Sequence, residues 1–234
     1  MSMDHIEVLD KGYVRLVDVM GDDRSVVNAA RVSFAKESGE FGEKDARLIT
    51  YLAKHGHTSP FRHAFATFEV SAPLIVCRQW WKYIVGSDHA MDSWNESSRR
   101  YVTSDPEFYI VGVDEWRSAT DDKKQGSGGP LDPWTGAFLT EALIETYDQG
   151  ETKYNTALSM GVAPEQARLF LPAYGMYVMW RWSASLQSIS FFLNQRIADD
   201  AQWEIEQYAR AVYRLVQPRF PVSINALVVP DGNS

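Results

Sequence analysis

Two short stretches hold most of the side chains that could do chemistry. In Arg78-Gln79-Trp80-Trp81-Lys82-Tyr83, Arg78 and Lys82 are four residues apart and so share a face if the segment is helical. In Trp94-Asn95-Glu96-Ser97-Ser98-Arg99-Arg100-Tyr101, a carboxylate, an amide, two hydroxyls and two guanidiniums crowd together. Guanidinium forks bind phosphate bidentately, and hydroxyls complete such a cradle. Trp80 and Trp81 offer either core packing or a flat wall for a ring. The pattern suits a site for an anionic nucleotide. The plain alternative is a solvated, arginine-rich helix end beside two core tryptophans.

Other candidates are weaker. His55, His57 and His63 fall within one short stretch, His55 to His63, with Gly56 and Pro60 fixing its path. The spacing fits no standard zinc pattern and no cysteine or carboxylate lies among them, so no metal is expected. A loop facing a ligand is the better reading. Cys77 is the only cysteine; it sits in the apolar run Leu74-Ile75-Val76-Cys77, which reads as a small buried side chain rather than a nucleophile. Arg168 is a lone cation on an apolar helix, either snorkelling or binding an anion.

The elements that must position these residues follow from periodicity. Ile6 to Met20 reads as a strand or hairpin, and Ala64 to Ser71 and Tyr174 to Ser183 as alternating strands. A short strand is expected at Phe108 to Val111. Helices are expected after a cap at Asp22 or Asp23, over Lys44 to Lys54, and from Pro73 into the Arg78 motif. A long helix spans Trp134 to Met160, with Gly150 able to kink it, and a short one follows Pro164. Ser185 to Asn194 reads as a helix with Gln187, Ser188 and Ser190 on its exposed side. A last helix runs from Asp200 to Val216, capped by Asp199 or Asp200 and ended by Pro218 and Pro221. The glycine-rich stretch from Thr120 to Pro133 is a long loop or lid. Several helices with scattered strands make the fold class α+β: one domain over residues 1–234, a mixed or antiparallel sheet packed by helices.

Composition bounds the partners. The 234 residues are 45% hydrophobic and carry a net charge of -8, which argues against nucleic acid and favours a small ligand held by a local basic cluster. A lone cysteine excludes an internal disulfide. With no basic n-region, no apolar h-region and no apolar run long enough to span a bilayer, no membrane association is expected. The location expected is cytoplasmic, or a host's cytoplasm were the source viral.

Taken together, the ordered residues resemble the flavin-dependent thymidylate synthases. The matching runs are Asp10-Lys11-Gly12-Tyr13, Ala29-Ala30-Arg31-Val32-Ser33, Lys54-His55-Gly56-His57, Arg78-Gln79-Trp80, Asn95 to Tyr101, Ala167-Arg168 before Leu171-Pro172, and Ala201-Gln202-Trp203-Glu204-Ile205. The resemblance implies a homotetramer with active sites shared between subunits. It also implies reductive methylation of dUMP to dTMP, with methylenetetrahydrofolate as carbon donor and FAD, reduced by NADPH, as hydride source. It assigns dUMP to Gln79, Lys82, Glu96, Ser98, Arg99, Arg100, Arg168 and Arg196. Arg100 and Arg168 suit phosphate and ribose, and Arg196 suits a pyrimidine carbonyl, where it would act catalytically. Ser98 stays open between a phosphate or ribose ligand and a nucleophile. FAD falls to His57, Ser59, Arg62, Lys82, Asn95, Ser185, Gln187 and Asp200.

The chain departs from the family pattern at several places. Lys82-Tyr83-Ile84 stands where the signature has Arg-His-Arg, and His89 is a candidate to replace the lost histidine. Arg62 stands for a usual glutamate and Asp200 for a histidine, while Ser185 and Phe191 stand where asparagines are common. Two alternatives therefore remain: a related methylase or hydroxymethylase acting on dUMP or dCMP, and a nucleotide-binding homologue without catalysis.

Overall fold

Alternation of side chains builds the sheet. The computed structural model describes residues 4–32, 35, 37–85, 92–97, 105–120, 126–198 and 200–228. Strands β1 (His5–Val8) and β2 (Gly12–Met20) form the expected hairpin. Helices α1 (Asp23–Arg31) and α2 (Glu43–Lys54) follow, then a 3-10 turn, Ser59–His63, and strand β3 (Phe65–Pro73). In β3, Ala66, Phe68, Val70 and Ala72 are buried, and Phe65, Thr67, Glu69 and Ser71 face partly outward. Next come helix α3 (Leu74–Val85), strand β4 (Ser93–Glu96) and the long helix α4 (Pro133–Ser159). The chain ends with short α5 (Pro164–Ala167), β5 (Tyr177–Ser185), α6 (Leu186–Arg196), α7 (Trp203–Val216) and α8 (Pro221–Leu227). The strand order is β1-β2-β3-β5-β4, every neighbouring pair antiparallel. The α+β class holds.

One sheet face is packed by α3, α6 and α7, and its centre is aromatic. Trp80 of α3 lies edge-on to Trp180 and Trp182 of β5, with ring centroids 5.4 and 5.3 Å away, and stacks on Phe192 of α6 at 4.3 Å. Trp80, Trp180, Trp182 and Phe192 are at most 1% exposed. Each such indole removes on the order of 200 Å² from water, roughly 5 kcal/mol of transfer free energy, so this cluster fixes α3 and α6 against the sheet. Trp80 is therefore core, while Trp81 is partly exposed beside Trp94. The opposite sheet face carries Arg15, Glu69 and Arg181 in register, Glu69 bonded to both arginines.

The structure corrects several expectations. Phe108 makes only an isolated bridge to Met176, so no strand forms there; β4, not expected, supplies the edge. Helix α4 runs unbroken through Gly150. A Cβ there would sit 2.5 Å from Pro172 and 2.9 Å from the Phe170 carbonyl, so this glycine allows close packing. Gln187, Ser188 and Ser190 are buried, because the first turn of α6 is wedged between α3 and the Ser59–His63 turn and bonds to both. Helix α7 begins at Trp203 with Gln202 as its N-cap. Asp200 lies outside it and Asp199 lies outside the described residues. Asp22 caps α1 in a capping box with Ser25. The buried Asp23 carboxylate instead accepts from the Val222 and Ser223 backbone N–H groups, at 2.8 and 2.9 Å, and so caps α8. Pro221 thus opens a helix rather than only ending one. Among the described residues, no helix is long and apolar enough to cross a membrane.

Candidate active site

Helices α3 and α6 run side by side, and their opposite ends present two different sets of residues. At the first end is a cleft of about 840 Å³. Gln79 from the second turn of α3 lines it, as do Arg196 from the end of α6 and Asp200 to Gln202 beyond it. Tyr109 and Arg117 come from the segment after β4, and Tyr147 from α4. Ser127 brings the described part of the glycine-rich loop to the rim.

Two residues of the cleft carry buried polar atoms. Among the described residues, the Nε of Arg196 is buried without a hydrogen-bond partner, and so is the hydroxyl of Tyr109, a residue only 5% exposed. Burial pushes the Arg196 pKa down, opposed by the nearby Tyr83 and Asp200. Burial pushes the Tyr109 hydroxyl well up, helped by Glu204 and Glu115, so it stays a neutral donor. Unsatisfied donors are costly when buried, so these two residues are poised to take an acceptor. A guanidinium and a phenol suit carbonyl or phosphate oxygens.

A polar chain crosses beneath them. Gln79 Nε2 donates to Gln202 Oε1, and Gln202 Nε2 donates to Glu204 Oε2 at 2.7 Å. Glu204 Oε1 is ion-paired with Arg117. Arg117 also bonds Ser127 Oγ at 2.9 Å and the Glu115 carbonyl at 3.0 Å, and lies over the Trp203 ring.

At the second end, Arg62 Nε donates to the buried Gln187 Oε1 at 2.6 Å, and Ser185 caps α6 by accepting from Ser188 N at 3.3 Å. Tyr83 donates to the Ser188 carbonyl at 2.8 Å, which holds the end of α3 here. His57, Ser59, Arg62 and Lys82 are exposed. Among the described residues Arg62 donates only through Nε, leaving the rest of its fork free. Cations and hydroxyls of this kind fit the pyrophosphate of a dinucleotide such as FAD. Gln187 and Ser185 are already committed to protein partners.

The expected residues therefore divide. Gln79, Arg196 and Asp200 share the cleft, so Asp200 sits with the nucleotide set rather than with His57 and Arg62. Arg168 is exposed, its Nε 3.2 Å from the Glu165 carbonyl, and does not line the cleft. Asn95 and Glu96 are exposed on edge strand β4. Asn95 pairs with Arg181 in register, and Glu96 Oε2 lies 3.8 Å from the buried Cys77 thiol. Ser98, Arg99, Arg100 and His89 lie outside the described residues. The two clusters sit at opposite ends of α6, whose 11 residues span roughly 16 Å. Tyr109 and Arg117 were not singled out as site residues from the sequence, and Glu204 was marked only as part of the run Ala201-Gln202-Trp203-Glu204-Ile205 that carries the resemblance.

Comparison with known proteins shows the family of the chain. Residues 15–222 match the family described as thymidylate synthase complementing protein. The chain is 43% identical over 218 residues to the flavin-dependent thymidylate synthase of Thermus thermophilus, covering 93% of this chain and 76% of that one. It is 39% identical over 222 residues to the flavin-dependent thymidylate synthase of Thermosipho africanus, covering 95% and 93%. Among solved structures, it superposes on the UMP/dUMP methylase PolB of Streptomyces cacaoi, bound with 5-Br dUMP, with a TM-score of 0.80 at 29% identity. That match covers 96% of this chain and 100% of the other. The same methylase bound with 5-Br UMP gives a TM-score of 0.79 at 27% identity, covering 96% and 99%. With a family match across most of its length and close relatives along nearly all of it, the chain belongs to the flavin-dependent thymidylate synthases.

Proposed function

We propose that this enzyme methylates dUMP to dTMP, taking the carbon from methylenetetrahydrofolate and reducing equivalents from NADPH, with residues 1–234 acting as one domain. The observation that carries this reading is the convergence of Gln79, Tyr109 and Arg196 on one cleft, with Arg196 Nε and Tyr109 Oη unpartnered among the described residues. Bound FAD, once reduced, supplies the hydride that completes the methyl group. Arg196 donates to a pyrimidine carbonyl and stabilises negative charge that develops on the ring. Tyr109 stays protonated and donates to a second ligand oxygen. Arg62, Lys82, His57 and Ser59 hold the cofactor's phosphates. Arg100, Arg99 and Ser98 hold the nucleotide's phosphate and ribose; Arg168, which lies outside this subunit's cleft, reaches the nucleotide of a partner subunit, and Glu96 and Asn95 complete the shared site.

No protein thiol attacks the ring, since Cys77 is 2% exposed and burial, with Glu96 beside it, raises its pKa far above the ordinary thiol range. The cofactor set and the cleft lie at opposite ends of α6, which supports a homotetramer in which one subunit's set completes another's cleft. Light scattering at micromolar concentration should give a species larger than a monomer; a monomer with and without FAD refutes the shared site.

A second reading, UMP as substrate, is favoured by the likeness to a UMP/dUMP methylase. The decisive experiment incubates the protein with FAD, NADPH and methylenetetrahydrofolate, and separately with dUMP, UMP or dCMP, and resolves products by chromatography. Conversion of dUMP to dTMP is expected. Product from UMP alone moves the substrate to the ribonucleotide, and a hydroxymethyl or dCMP product refutes the reaction. Binding of dUMP without turnover leaves a nucleotide-binding protein.

A further inference from the structure

We infer that Arg117, Glu204 and Gln202 form a polarity relay that locks the Gln79 amide with its acceptor oxygen turned to the ligand, making them positioning residues for nucleotide recognition. The inference rests on the nucleotide reading of the cleft given above.

The direction of the relay follows from its anchored end. A guanidinium has no acceptor and an ionised carboxylate has no donor. Arg117 is held on three sides, by Ser127 Oγ, the Glu115 carbonyl and Glu204 Oε1. Glu204, 6% exposed, can only accept, so Gln202 must turn its amide nitrogen toward Glu204 Oε2. The Gln202 oxygen is then left facing Gln79, which must answer with its own Nε2. An amide side chain, whose two ends ordinarily exchange at little cost, is thereby fixed one way round. Reversing Gln79 would set its oxygen against the Gln202 oxygen, so Gln79 Oε1 is presented to the cleft as a fixed acceptor.

A fixed acceptor selects a ligand donor. Apart from its phosphate, dUMP carries two, the ring N3–H and the ribose 3′-hydroxyl. Both are the same hydrogen-bond chemistry from Gln79's side, and the locked amide discriminates against a ligand with an acceptor at that point.

The test is a cycle between protein and ligand. Calorimetric affinities of wild type and Glu204→Gln are measured for dUMP, for dCMP, which lacks the N3–H, and for 2′,3′-dideoxyuridine monophosphate, which lacks the 3′-hydroxyl. Glu204→Gln lets Gln202 and then Gln79 reverse, so dUMP affinity should fall about tenfold. The penalty should vanish for the dideoxy analogue if Gln79 accepts from the 3′-hydroxyl, or vanish or reverse for dCMP, whose N3 is an acceptor, if Gln79 accepts from N3–H, which also identifies that donor. An equal penalty for all three ligands, or none for dUMP, overturns the relay, because a purely structural effect cannot depend on one ligand proton. If Glu204→Gln does not fold, Gln202→Met breaks the chain while leaving the Arg117–Glu204 pair intact, and the same pattern is required. Failure of the wild type to bind any of the three nucleotides removes the nucleotide reading itself, a result distinct from an equal penalty.

Discussion

Replacing Arg196 by methionine should move stability and affinity in opposite directions. In the free protein the guanidinium is half-buried and its Nε has no partner among the described residues. An unsatisfied buried donor costs about 1–3 kcal/mol, and the lower end applies because the rest of the group reaches the open cleft. Against this, a cation in the last turn of α6 gains about 0.3–1 kcal/mol from the helix dipole. Methionine keeps much of the apolar stem, so little packing is lost. The unsatisfied donor wins narrowly, and the free variant should be as stable as wild type or more stable by about 1 kcal/mol.

Binding goes the other way. Loss of the charged partner for a pyrimidine carbonyl should weaken dUMP by about 2–4 kcal/mol, roughly 30- to 1,000-fold. Urea denaturation with and without nucleotide reads both effects. At a dUMP concentration of about 100 times the wild-type Kd, the ligand should stabilise wild type by about 2.7 kcal/mol. It should stabilise a variant weakened 100-fold by only about 0.4 kcal/mol. A variant destabilised by more than about 2 kcal/mol that keeps the full ligand-induced shift would show that Arg196 is a structural cation, and the reasoning would fail.

Other outcomes are as definite. Gly12→Ala should lose about 2–4 kcal/mol, because its Cβ would meet Tyr208 Oη at 1.9 Å and the Ser71 and Val8 carbonyls at 2.7 and 2.9 Å. Adding Tyr208→Phe should return only part of that, since the two carbonyls remain, and full recovery in chemical denaturation would refute this. Cys77→Ala should keep its turnover within about threefold and lose about 1 kcal/mol of stability. Turnover lost by orders of magnitude in a folded, flavin-binding variant would make the thiol the nucleophile. For Glu69, burial acts to raise the pKa, but hydrogen bonds from Arg15, Arg181 and Tyr13 outweigh it and hold the carboxyl below its ordinary value. A carboxyl lowered by folding contributes stability that is present above its unfolded pKa and is lost as pH falls through the folded one. Melting temperature should therefore drop on the acid side more steeply in wild type than in Glu69→Gln, and superimposable acid limbs would exclude the effect.

What the sequence made legible, and what it did not, divides by range of interaction. The alternation in β3 and β5 is local, and it placed the ends of β3 within two residues and those of β5 within three. Helix α8 escaped because the carboxylate that caps it, Asp23, lies about two hundred positions away in the chain. The polar residues of α6 were read as exposed because their partners, Arg62 and Tyr83, belong to other elements. In the site, Gln79 and Arg196 were legible through ordered motifs. Arg117 and Tyr109 lie in irregular chain with no periodicity to mark them, and only tertiary packing brings them into the cleft.

The geometry of α6 ties its two ends together by angle as well as by distance. Each residue advances the helix by about 1.5 Å and turns it by about 100°. Inserting one residue between Ser190 and Phe192 would displace Arg196 only slightly along the axis, but would turn it by about 100° off the face it shares with Ile189, Phe192 and Leu193 and so away from the cleft. Substitution within this helix can be absorbed one side chain at a time, whereas a change of length throws every later residue out of phase at once. The spacing between Gln187 and Arg196 is therefore expected to tolerate drift in composition and to resist any insertion or deletion.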